Sequence, residues 1–153
     1  MRSVNIAAVD TLRMPISDDA RLRELLDAET IAVVGCSTTP GKAAHDVPAY
    51  LQQQGYRVIP VNPFAEEVLG ESAYDDLSAV PADIDLVDVF RPSEEVPEIV
   101  EVVRARHAAR GDAGILWLQL GIRDDDAVAE AETDGIATVQ DRCLKVEHRR
   151  LLG

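Results

Sequence analysis

The sequence predicts an α/β fold, a doubly wound five-stranded parallel sheet with helices on both faces. Three observations carry that prediction. An apolar, β-branched run at residues 30–34 enters Gly35 and a small-residue turn, and helical apolar spacing resumes at Val47 and Leu51. Strand-like runs then alternate with helix-like stretches through the rest of the chain, the pattern of βαβ units with right-handed crossovers. Glycines at Gly55, Gly111, Gly121 and Gly135 punctuate the joins.

Residues 1–17 show no clear period and contain Pro15, so an arm is expected ahead of a single domain at 18–153. Ser17 or Asp18 can cap a first helix over about 18–28, with Leu22, Leu25 and Leu26 on one face. Strand one follows at 30–35. A helix over 43–54 comes next, and its Pro48 is best accommodated if the true start lies near Asp46. Strand two is 56–61, leading into Asn62-Pro63. A loop then carries Gly70, Tyr74 and Asp75-Asp76, with one short turn near 77–80. Strand three spans 84–90, and Arg91-Pro92-Ser93 opens a helix over 93–110 with Val96, Ile99, Val100 and Val103 inward. Strand four is 114–120. Three acids, Asp124, Asp125 and Asp126, open a helix over 124–133, where the helix dipole favours them. Strand five is 136–139, and a basic helix over 142–152 ends the chain. Strands numbered along the chain are expected in the order 3-2-1-4-5, with ligands at their carboxyl ends around the switch point beside strand one.

At 153 residues the chain is long enough for one domain with a real core, and its 46 % apolar content is ordinary for a globular protein. Its charge is not. Twenty-eight acids against fifteen bases give a net −13, and only Lys42 and Lys145 are lysines. Such a surface disfavours nucleic acid and anionic membranes and resists aggregation. A halophilic, salt-rich cytoplasm, where this repulsion is screened, is one expectation from it. Cys36 and Cys143 form no C-x-x-C motif, no apolar run reaches about 18 residues, and no basic-then-apolar leader opens the chain. A reduced, cytoplasmic protein is expected.

The glycine turn completes neither of two common nucleotide motifs. Gly35-x-Ser37-x-x-Pro40 keeps only the first glycine of a dinucleotide fingerprint, and Val61-Asn62-Pro63 lacks the acid that would bind an NAD ribose. Gly41-Lys42 lies one residue too far from Gly35 for a P-loop, and Ala43 replaces the magnesium-binding hydroxyl. What remains is an anion cradle with Lys42 and, across the switch point, Arg91. On spacing alone, Lys42 could equally be a solvated helix-start residue and Arg91 a strand-end cap.

Several blocks together carry a resemblance. They are Ile31-Ala32-Val33-Val34-Gly35-Cys36-Ser37, Pro40-x-Lys42-x-x-His45-x-Val47-Pro48-x-Tyr50-Leu51, Gly55-Tyr56-Arg57-Val58-Ile59-Pro60-Val61-Asn62-Pro63 and Asp85-Leu86-Val87-Asp88-Val89-Phe90-Arg91. Trp117-Leu118-Gln119-Leu120-Gly121 and Asp141-Arg142-Cys143-x-Lys145-x-Glu147-His148 continue it. Over residues 18–150 the chain resembles the small single-domain CoA-binding proteins, which are similar to the N-terminal CoA-binding domain of the succinyl-CoA synthetase α subunit. The resemblance implies a Rossmann-like fold with CoA along the strand ends. Gly35 would admit the phosphates, Ser37 would donate a hydrogen bond and Lys42 would pair with a phosphate. Asn62 and Pro63 would border the adenosine, while Phe90, Arg91, Gln119 and Gly121 would line the remaining path of the nucleotide or pantetheine arm. Cys36 stands where alanine is commoner in that family. The synthetase's second domain, with its phosphorylated histidine, has no counterpart here, so the resemblance implies binding of CoA or acyl-CoA without catalysis.

Other residues fit structural roles. Cys143 and His148 would face about 140° apart on a helix, which breaks a nucleophile–base pair. Asp141 is expected as the N-cap of that helix, with Glu147 or His148 pairing to an arginine. Cys36 is expected to be a small buried residue, although a disulfide with the thiol of CoA is conceivable. His45 either packs or touches a phosphate, His107 is expected to be solvated, and Trp117 belongs to the core. No His, Cys and acid set has metal-ligand spacing. The expectation is a CoA or acyl-CoA binding protein, acting as a carrier or sensor, as a homo-oligomer, or beside a partner enzyme to which it supplies the nucleotide site. The alternative is an NAD(P)-binding oxidoreductase or redox sensor on the same fold.

Overall fold

The computed structural model describes residues 15–153. Helix α1 (Asp19–Leu25) precedes strand β1 (Thr30–Val34), helix α2 (Ala43–Gln53) and strand β2 (Arg57–Val61). A hairpin of β3 (Glu67–Val68) and β4 (Glu71–Ser72) and a 3-10 turn (Leu77–Ala79) lead to β5 (Leu86–Val89). A second 3-10 turn (Ser93–Glu95) runs into α3 (Val96–Arg110), followed by β6 (Ile115–Leu118), α4 (Asp125–Thr133), β7 (Ala137–Val139) and α5 (Leu144–Leu151). Five strands form one parallel sheet in the order β2-β1-β5-β6-β7.

Alternation along the strands divides the core into two layers. Ala32, Val87, Val89, Leu116 and Leu118 face α3 and α4 through Val96, Val100, Val103, Val128 and Ala131. Ile31, Val33, Leu86, Trp117 and Val139 face α1, α2 and α5 through Leu22, Leu25, Val47, Leu51 and Leu144. The expected Rossmann-like α/β architecture therefore forms, with helices on both faces. Its strand order is a correction. In chain order the main-sheet strands lie 2-1-3-4-5, not 3-2-1-4-5, because the connection after β2 crosses β1 and sets β5 on its far side. The switch point stays beside β1, now between β1 and β5.

Helix α2 starts at Ala43, as its expected span of 43–54 has it, and the alternative start near Asp46 is not taken; Pro48 lies buried inside it. A proline there cannot donate to the Ala44 carbonyl, and the Ser37 N–H takes that carbonyl instead, at 2.9 Å. The stretch expected as an open loop contains the β3–β4 hairpin, whose two central residues, Leu69 (φ 54°) and Gly70 (φ 78°), are both left-handed. Cys143, not Asp141, is the N-cap of α5, and the Asp141 carboxylate instead accepts the Gly121 N–H at 2.7 Å. His107 is half-buried, not simply solvated, and its Nδ1 bonds the Asp112 carbonyl at 2.6 Å. Asp18 does cap α1, and Glu147 does pair with arginines, Arg142 at 3.0 Å and Arg150 at 2.8 Å. Of the expected arm, residues 1–14 lie outside the described residues. Ile16 is buried, and its N–H bonds Thr138 beside the edge strand β7.

Two buried charges stand out. Arg106 on α3 donates to the carbonyls of Leu77, Val80 and Ala82 and pairs with Asp112 at 2.9 Å, so its guanidinium is fully engaged. Asp88 on β5 is fully buried, and neither carboxyl oxygen has a hydrogen-bond partner.

Candidate functional site

The carboxyl ends of β1, β2 and β5 surround a cavity of about 540 Å³. One end of it is built by the turn between β1 and α2. Gly35 has φ +85°, and a β-carbon there would stand 2.7 Å from Arg91 Cδ and 3.1 Å from the Phe90 carbonyl oxygen. Glycine is required both by the backbone and by the arginine that crosses it. Past Gly35 the turn is tied down by the Ser37 N–H on Ala44, the Thr39 N–H on Ser37 Oγ and the Gly41 N–H on Asp46. Among the described residues, the N–H groups of Cys36, Thr38, Ala43 and Ala44 have no acceptor. Lys42 is the N-cap of α2 with no side-chain capping bond, so a cation stands beside free helix-terminal donors.

Asn62 links this cradle to the opposite end of the cavity. Its Nδ2 donates to the Cys36 carbonyl at 2.9 Å, and its Oδ1 accepts the Phe64 N–H at 2.7 Å. The Asn62 N–H also bonds the Tyr74 carbonyl, which sets Asp75 next to the Asn62-Pro63-Phe64 turn. Leu77 and, from α3, Ile99 and Val102 supply apolar wall.

Arg91 and two nearby carboxylates are engaged in ion pairs or hydrogen bonds, while the thiol of the site is kept neutral. Arg91 forms a two-pronged bridge to Glu95, at 3.0 and 2.8 Å, with both side chains nearly half exposed. That arginine holds the Glu95 carboxyl below its usual range. Exposed pairs of this kind are weak, so Arg91 can turn to a stronger anion. Asp46 is likewise held low, first by His45 and then by the Gly41 N–H. His45 thus bonds its neighbour, Nδ1 to Oδ1 at 3.1 Å. Burial, and secondarily Asp88, pushes the Cys36 thiol up to about 12. It stays a thiol at neutral pH, which removes the thiolate that disulfide exchange with a ligand thiol would need.

Six of the residues singled out from the sequence, Gly35, Ser37, Lys42, Asn62, Pro63 and Arg91, line this one cavity. The other three do not. Phe90 packs against the apolar layer beneath α2 and α5. Gln119 is buried, its Oε1 accepting the Leu144 N–H at 3.0 Å. Gly121 is exposed beyond β6, with φ +85° and its N–H on Asp141. Sequence reasoning missed Phe64, Asp75, Ile99 and Val102 as cavity residues. A phenylalanine directly after Asn-Pro, one of two in the chain, was the available signal. Among the described residues no group of three or more His, Cys, Asp or Glu could hold a metal, and no helix is long and apolar enough to cross a membrane.

The family model described as CoA binding domain matches residues 29–149. YneT of Bacillus subtilis, an uncharacterized protein, is 36 % identical over 130 residues, covering 84 % of this chain and 93 % of YneT. The solved structure of cell-free ID.343 from Thermus thermophilus superposes with a TM-score of 0.82 and 42 % identity, covering 89 % of this chain and 100 % of that one. The ADP-forming acetate–CoA ligase II of Archaeoglobus fulgidus is 29 % identical over 106 residues, 68 % of this chain but 15 % of the ligase. The chain thus spans a small part of that enzyme.

Proposed function

The chain belongs to the CoA binding domain family, and from that premise we propose that it binds CoA or an acyl-CoA in the cavity at the switch point. One observation carries the reading: Lys42, Arg91 and the free N–H groups at the start of α2 converge on a single cavity in a chain of net charge −13. A polyanion approaching so acidic a protein needs cations and donors where its phosphates sit, and with Asp75, Asp76, Glu95 and Glu98 also in the lining that role falls to Lys42, Arg91 and the N–H groups of the turn. The diphosphate belongs against Gly35, Ser37 and Lys42, where the missing side chain of Gly35 lets backbone approach the ligand. Arg91 leaves Glu95 to complete the neutralisation. Asn62 and Pro63 border the adenosine. The pantetheine arm runs past Arg91 along the carboxyl ends of β5 and β6, toward Gly121.

In this reading the protein binds rather than catalyses. CoA brings a thiol that can carry an acyl group, and the chain's own residues hold and orient the nucleotide. A related segment forms part of a larger ligase in Archaeoglobus, which supports a role beside a separate enzyme. Calorimetric titration of CoA, acetyl-CoA, NAD⁺, NADP⁺ and ATP into the protein in high salt tests it. Saturable binding of CoA with little response to NAD⁺ is expected, and Lys42→Ala and Arg91→Ala should each weaken it about tenfold, the loss of a charge-assisted bond. Unchanged affinity in both variants would overturn the assignment of the site.

A further inference from the structure

Phe64 is 95 % exposed, the most exposed large apolar side chain among the described residues, and it lines the cavity. Two of the chain's residues are phenylalanines and its aromatic content is 4 %, so a fully solvated ring is costly surface in a sparing composition. Its position is not loose. The Phe64 N–H is held by Asn62 Oδ1, the preceding residue is Pro63, and the same Asn62 side chain reaches the Cys36 carbonyl at the start of the phosphate cradle. One amide therefore ties the backbone that carries the ring to the anion-binding turn.

We infer that Phe64 is a stacking platform for the ligand's planar base, a binding residue additional to those that hold the phosphates. The inference rests on the CoA reading above. A base has two π-faces and a rim of hydrogen-bonding groups. Phe64 offers a flat apolar face, and Asp75, set beside the turn by the Asn62–Tyr74 backbone bond, offers a carboxylate to an exocyclic amine. Leu77, Ile99 and Val102 provide apolar wall within the same cavity. The platform and the cradle together define a ligand with a purine at one end and charge at the other.

The test compares CoA with 4′-phosphopantetheine, which keeps the arm and a phosphate but has no base, on the wild type, Phe64→Ala and Phe64→Trp. A side chain this exposed can be removed without unfolding the protein, and unchanged melting temperatures verify that. Phe64→Ala should bind CoA about tenfold more weakly, the scale of one lost base–aromatic stack, and bind phosphopantetheine as the wild type does. Phe64→Trp should restore CoA affinity, and its fluorescence should be quenched by CoA and not by phosphopantetheine. Trp117 is fully buried and supplies a constant background. If the wild type binds CoA and Phe64→Ala binds it equally well, or loses both ligands alike, the platform is refuted and the CoA site stands. If the wild type binds no CoA, both readings fall together.

Discussion

Relative to the wild type, Asp88→Asn should gain stability as pH rises. Asp88 lies in the middle of β5 on the layer that faces α1, α2 and α5, fully buried and with both carboxyl oxygens unpartnered. Desolvation pushes its pKa well above the ordinary carboxylate value. In the unfolded chain the same group titrates near 3.9. Between those two values the folded protein holds a proton that the unfolded chain has released. Folding stability therefore falls with rising pH across that window, by about 1.4 kcal/mol per pH unit for one proton. Asparagine has the same shape and never titrates. The stability gap between Asp88→Asn and the wild type should widen by about 1.4 kcal/mol per pH unit as pH rises from the unfolded-chain value toward the raised folded-state value. For a chain of this size that corresponds to about 3–6 °C in melting temperature per pH unit within that window. Urea melts of both proteins at several pH values measure the gap directly, and every other titration is common to the pair. A gap that does not change with pH would refute the reasoning, since it would mean that Asp88 is already ionised in the folded state.

Three further outcomes follow from the same structure. Gly35→Ala forces an alanine into a left-handed conformation, which costs about 1–2 kcal/mol. It also drives a methyl into Arg91, so a fall of about 3–8 °C in melting temperature should accompany weaker CoA binding; an unchanged melt would show that the turn relaxes freely. Glu95→Gln removes the carboxylate that engages Arg91, and CoA affinity should rise a few-fold in calorimetry, with equal affinity showing that Arg91 stays where it is on binding. The net charge of −13 predicts a higher melting temperature in molar KCl than in dilute buffer. Equal melting temperatures in the two would remove the halophilic reading.

The parts of the fold that were legible in the sequence are those written in apolar period and glycine. The main-sheet strands and the helices announce themselves in that way, and so does the turn at Gly35. Strand order is not written there, because each βαβ crossover has a fixed hand but its direction along the sheet depends on which edge remains open. The β3–β4 hairpin escaped for a different reason. Its strands are two residues each, too short for alternation, and its left-handed turn uses Leu69-Gly70, where Asn-Gly would have signalled it. Buried charge was invisible as well. Arg106 and Asp88 occupy polar letters in a sequence whose burial is read from apolar ones. In the candidate site, polar residues at strand ends were found because the topology gathers those ends. Ile99 and Val102 were not, since an apolar residue on α3 is already accounted for by the core.

Pro48 carries a consequence for how the turn opens. Because the proline ring denies the Ala44 carbonyl its helical donor, that oxygen belongs to the Ser37 amide, outside the helix. An amide in an exposed loop ordinarily exchanges with solvent deuterium within moments, whereas the Ser37 amide can exchange only when it parts from the first turn of α2. Loop and helix end thus constitute one opening unit. A residue at position 48 able to donate its own N–H would make the helix and the loop share one carbonyl, and so loosen the tie between them.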